Sequence, residues 1–106
     1  MCGISGILNY DQSNVNKEVL DKMNQEMLLR GPDDSGHYID GNCGIAMRRL
    51  SIIDLDSGKQ PIANETKTIH VVLNGEIYNY IELRKELEGL GHHFSTQSDT
   101  EVLVHL

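Results

Sequence analysis

The opening stretch Met1-Cys2-Gly3-Ile4-Ser5-Gly6-Ile7-Leu8-Asn9-Tyr10 decides how this chain is read. Residues 3–10 form a short apolar run with two glycines, the pattern of a buried strand. Cys2 stands just before it, where chain ends usually fray and a cysteine adds little to packing. Removal of Met1 would leave one residue carrying both a thiol and a free α-amino group. Such an amine titrates near about 7.7–8.0 and can act as the base that activates its own side chain. The competing reading is a cysteine that merely happens to open the first strand.

Outward from this stretch, the cluster Asp11-Gln12-Ser13-Asn14 breaks the strand and offers helix caps. Val15, Val19, Leu20, Met23, Met27 and Leu28 recur at helical spacing, which predicts an amphipathic helix covering one face of a sheet. Gly31 and Pro32 end it. Residues 36–40 and 43–48 read as paired strands around the tight-turn composition Asp40-Gly41-Asn42, and Arg49 to Asp54 continue extended. Ser57 to Pro61 read as a loop. Residues 69–73 form a β-rich run ending in the turn dipeptide Asn74-Gly75. Tyr80, Leu83, Leu87 and Leu90 give a second helical stripe, closed by Gly89 and Gly91. Ser98-Asp99-Thr100-Glu101 has the S-x-x-E form of a capping box before a third helix. That helix has no C-cap and would be marginal alone, so the sequence is expected to be the N-terminal part of something longer.

Composition excludes several classes. With 106 residues, 39% hydrophobic and 24% charged, the chain fits one small globular domain and not a disordered segment. A net charge of −7 argues against non-specific binding to nucleic acid or to an anionic membrane. No apolar window is long enough to span a membrane, and no secretory signal is present. The two cysteines therefore read as reduced thiols, and the cytoplasm is the expected compartment.

The common nucleotide signatures are missing: there is no GxGxxG, and Gly31-Pro32-Asp33-Asp34-Ser35-Gly36 lacks the lysine of a phosphate loop. The five histidines and two cysteines show no metal-ligand spacing, so no metal is expected, and His92-His93 reads as a solvated loop pair. Asn64-Glu65-Thr66 matches a glycosylation sequon, which has no meaning in the cytoplasm.

Three polar segments interrupt apolar ones. In Arg48-Arg49-Leu50-Ser51-Ile52-Ile53-Asp54, a guanidinium entering an apolar run needs an anion, either a ligand carboxylate or Asp54 or Asp56. In Asn74-Gly75-Glu76-Ile77-Tyr78-Asn79, the Asn74 amide and the Gly75 N–H suit an oxyanion, although Asn-Gly is also a hairpin signal. Asp99 suits either a helix start or a substrate ammonium. Jointly these supply the parts for attack on the side-chain amide of an α-amino acid.

Cys2-Gly3-Ile4, Arg30-Gly31-Pro32-Asp33, Arg49 to Asp54, Gln60-Pro61, Asn74 to Asn79 and Ser98 to Glu101 occur in the order and spacing of one family. Over its whole length the chain resembles the class II glutamine amidotransferase domain of glutamine-hydrolysing asparagine synthetases. The resemblance implies an α+β fold, the N-terminal-nucleophile hydrolase four-layer αββα sandwich, of which residues 1–106 are about the first half. It implies that Cys2 is the nucleophile, with Asn74 and Gly75 as the oxyanion hole. Arg49 would bind the glutamine α-carboxylate, and the backbone of Leu50, Ser51, Ile52 and Ile53 would line the pocket. Glu76, through its main chain, and Asp99 would hold the α-ammonium. Ammonia released from glutamine would pass to a C-terminal synthetase domain, absent from this sequence, that activates aspartate with ATP and magnesium; this part needs no cofactor. The alternatives are an amidotransferase feeding another acceptor and a non-catalytic relative of it. Leu29 and Met47 stand where many members carry histidine. A half-domain would expose sheet edges and apolar faces, so turnover by residues 1–106 alone is expected only if they self-associate as a homo-oligomer.

Overall fold

The computed structural model describes residues 2–50 and 58–106, so Met1 and residues 51–57 lie outside the described residues. The opening apolar run is strand β1 (Gly3–Leu8). Helix α1 (Lys17–Glu26) follows, shorter at both ends than its apolar stripe. Its start is set by Asn16, whose side chain accepts the Glu18 N–H. Strands β2 (Asp34–Asp40) and β3 (Cys43–Arg49) form the expected hairpin. Gly41, at φ +54°, supplies the left-handed turn residue that a side chain would disfavour.

These strands make an antiparallel sheet in the order β1-β3-β2. Alternation along the strands gives it two working faces. Helix α1 covers one of them, and Val15, Leu20 and Ala46 form a buried core with Ile7 and Ile39 packed against it. Gly44 lets the helix approach closely: a Cβ there would stand 3.1 Å from both Leu20 and Val15.

The second face meets a smaller sheet. Strand β4 (Ile62–Ala63) pairs antiparallel with β5 (His70–Val71), and the His70 ring stacks on Tyr38 of β2 at 3.5 Å between centroids. Gly36 of β2 allows the same approach, since a Cβ there would collide with the Gln60 carbonyl. The β-rich run 69–73 thus yields a two-residue strand. Asn64 turns the chain tightly, accepting the N–H groups of Thr68 and Ile69, so the partner strand is short. Beyond it, the Leu73 N–H is taken by the Gln60 side chain at 2.6 Å.

Asn74-Gly75 is a bend leading into helix α2 (Tyr80–Gly89), not a hairpin turn. The helix closes in a Schellman arrangement: Gly91, at φ +100°, donates to the Glu88 carbonyl, and His92 donates to that of Leu87. A 3₁₀ turn (Asp99–Glu101) then leads into α3 (Val102–His105), which lies against α2 and β5. Among the described residues, no helix is long and apolar enough to cross a membrane.

Candidate active site

Cys2 precedes β1 and is partly buried. Its carbonyl accepts a hydrogen bond from Arg30 Nε at 2.9 Å. Arg30 comes from the loop after α1, and that loop is clamped to β3. Arg48 Nε donates to the Gly31 carbonyl at 2.8 Å, and the Asp33 N–H donates to that of Arg49 at 3.0 Å. Gly31 fits only because it has no side chain, since a Cβ would collide with the Arg48 carbonyl group. One loop therefore sets both the backbone of Cys2 and the strand end that carries Arg49.

From the other side, Gln60 joins the small sheet to the 3₁₀ turn. Its Oε1 takes the Leu73 N–H, and its Nε2 lies 3.5 Å from Thr100 Oγ1. This tether fixes the chain just before Asn74-Gly75. Asp99 fixes it just after, accepting the Ile77 N–H at 2.7 Å. The segment from Asn74 to Ile77 is thereby stretched between two side-chain anchors.

The result is one cavity of about 410 Å³ whose lining includes Cys2, Arg49, Leu50, Asn74, Gly75, Glu76 and Asp99. Every candidate site residue among the described residues reaches it. Ser51, Ile52 and Ile53 lie outside the described residues, as do Asp54 and Asp56, the other partners considered for the arginine pair. A second cavity of about 510 Å³ shares Arg49, Glu76 and Asp99 and extends toward Tyr78 and Tyr80. Gly58, at φ +79°, brings its loop against Ser98 beside the Arg49 guanidinium. A cysteine, an arginine, an asparagine and two acidic residues thus line one space of a volume that suits a small amino acid.

The capping box takes an altered form. Ser98 Oγ accepts the Thr100 N–H at 3.2 Å, as a cap should, but Glu101 does not return to Ser98. The Glu101 carboxylate is buried and takes the N–H groups of Ser95 and Thr96, each at 2.7 Å, and the Thr96 hydroxyl. Burial works to raise its pKa, but the Thr96 hydroxyl, these two amides and His105 outweigh it and hold the carboxyl below its ordinary value. His92 also departs from the expected solvated pair: its Nδ1 lies 3.1 Å from Glu65 Oε1, and the His93 N–H donates to Glu65 as well. Arg30 and Gln60 act in this architecture although no local pattern assigns them a role, and Glu101 serves other partners than its capping box implies. The partners of Arg30 and Gln60 lie 13 to 40 residues away, beyond the reach of any local pattern.

Cys2, Arg49, Asn74, Gly75 and Asp99, far apart in sequence, thus line a single cavity. Residues 1–106 match the family described as the glutamine amidotransferase domain, and the chain belongs to that family. Its relatives narrow the branch. It is 49% identical to asparagine synthetase [glutamine-hydrolyzing] 1 of Bacillus subtilis (strain 168), over 98% of this chain and 17% of the relative. It is 47% identical to asparagine synthetase [glutamine-hydrolyzing] 1 of Arabidopsis thaliana, over 100% of this chain and 18% of that protein. The corresponding enzyme of Sandersonia aurantiaca is 49% identical, with 20% of its length covered. The chain therefore spans about a fifth or less of the length of these relatives.

Proposed function

We propose that this chain is the first part of the glutaminase domain of a glutamine-dependent asparagine synthetase. The observation that carries the reading is the single cavity shared by Cys2, Arg49, Asn74, Gly75 and Asp99. Glutamine enters with its α-carboxylate on Arg49 and its α-ammonium between Asp99 and the main chain of Glu76. The Cys2 α-amine takes the thiol proton as sulfur attacks the side-chain amide carbon. The oxyanion that forms is held by the Asn74 side-chain amide and the Gly75 N–H. Collapse of the adduct breaks the C–N bond, the ammonium form of the Cys2 amine returns the proton, and ammonia leaves. Water then attacks the thioester, releasing glutamate and restoring the thiol.

The order of layers supports an αββα sandwich: α1 on the three-stranded sheet, the β4–β5 sheet on its other face, and α3 beyond β5. Residues 1–106 would be a partial domain that continues into further strands and then a synthetase domain. There, ATP and magnesium activate aspartate to receive the ammonia. A cytoplasmic location fits this role.

The test is glutamate release from glutamine by the full-length protein. Cys2→Ala should abolish it and also abolish asparagine formation from glutamine, while added ammonia still supports asparagine formation. Undiminished glutamate release by Cys2→Ala would overturn the assignment.

A further inference from the structure

One cluster of titratable side chains takes no part in the glutaminase chemistry. Glu65 sits in the turn between β4 and β5, His92 just past the end of α2, and His105 at the end of α3. Glu65 presents one oxygen to each ring, Oε1 at 3.1 Å from His92 Nδ1 and Oε2 at 3.0 Å from His105 Nδ1. Donor atoms of all three residues fall within 4.8 Å of one another. The His105 side chain is 0% exposed, and its Nδ1, although this close to an oxygen, makes no hydrogen bond. Its other nitrogen, Nε2, lies 3.3 Å from Glu101 Oε1.

We propose that Glu65, His92 and His105 form a binding site for a divalent zinc-like cation, with Glu101 as the outer partner that orients His105. A hydrogen bond requires the N–H to point at its acceptor, whereas two ligands of one ion lie close together while both point at a third position. The buried, unsatisfied Nδ1 beside a carboxylate oxygen has the second geometry. Two imidazoles and one carboxylate make up a known zinc donor set, and a tetrahedral ion with bonds of about 2.0–2.2 Å separates its ligands by about 3.3–3.6 Å. The separations seen here bracket that value. A carboxylate on the far nitrogen of a ligating histidine is the usual device for setting its tautomer, and Glu101 occupies that place. These ligands escape a spacing search because they come from three segments brought together only by folding. An ion there would tie the β4–β5 turn and the end of α2 to α3, which begins three residues after Asp99 of the candidate glutamine cavity.

The experiment uses the full-length protein, stripped with a chelator and titrated with zinc chloride, beside His92→Ala and Glu65→Gln. Both replaced side chains are about a third exposed, so the fold should persist. The native protein should bind one more zinc equivalent than either variant and show a larger zinc-dependent rise in melting temperature. Equal stoichiometry in all three proteins would refute the site. X-ray absorption on the zinc-loaded native protein decides independently of the variants. A shell of imidazole nitrogen and carboxylate oxygen supports the proposal, while a shell dominated by sulfur, or no bound zinc, overturns it.

Discussion

Cys2 is held by Arg30 through its carbonyl oxygen, a contact that uses neither its thiol nor its backbone nitrogen. Glutamine hydrolysis should decline as pH falls through about 7.7–8.0, because protonating the α-amine removes the base. A flat rate from about pH 6 to 9 would count against an amine base of ordinary basicity. The same logic makes processing decisive: preparations whose intact mass retains Met1 should show no glutaminase activity. Asn74→Ala should lower kcat by about 10²–10³-fold, the usual loss for one oxyanion donor, with little change in melting temperature. Gly31 is a structural counterpart. Because a Cβ there would collide with the Arg48 carbonyl group, Gly31→Ala should destabilise the domain by about 1–3 kcal/mol, read as a lower urea midpoint.

At the scale of elements, the segment Asn74 to Ile77 owes its shape to anchors on other elements. Asp99, in the 3₁₀ turn, receives the Ile77 N–H, so the residue assigned to the substrate ammonium also shapes the wall opposite it. Asn can accept the same N–H but lacks the charge. Asp99→Asn should therefore raise KM for glutamine by about 10–100-fold, the worth of a charged hydrogen bond, and leave the fold intact. Loss of folding in that variant would mean that Asp99 serves the helix start alone. The Ser98–Glu101 box shows how a local signal is partly redirected. Its cap half forms, but the Glu101 carboxylate is itself buried and takes the Ser95 and Thr96 amides as the partners that satisfy it there.

For the whole molecule, the uncovered surface is informative. Ile4 and Leu8, on the face of β1 away from α1, are 49% and 56% exposed. Residues 1–106 produced alone should therefore associate with rising concentration, which sedimentation velocity would report. A monodisperse monomer at every concentration would refute this. Local pattern was enough to read the β2–β3 hairpin and both long helices, and β1 as a strand, but not as the buried strand expected: it is an edge strand with Ile4 and Leu8 exposed. Strand β4 escaped it, since two residues cannot show a period. The site was legible as residue types: Cys2 at the chain start, Arg49 entering an apolar run, Asn74-Gly75, and Asp99. What only the tertiary structure decided is that they share a cavity, that Arg30 and Gln60 hold its walls, and that His92 and His105 meet across Glu65. Local sequence controls which conformations are cheap, whereas contacts between residues tens of positions apart depend on how the sheets and helices pack.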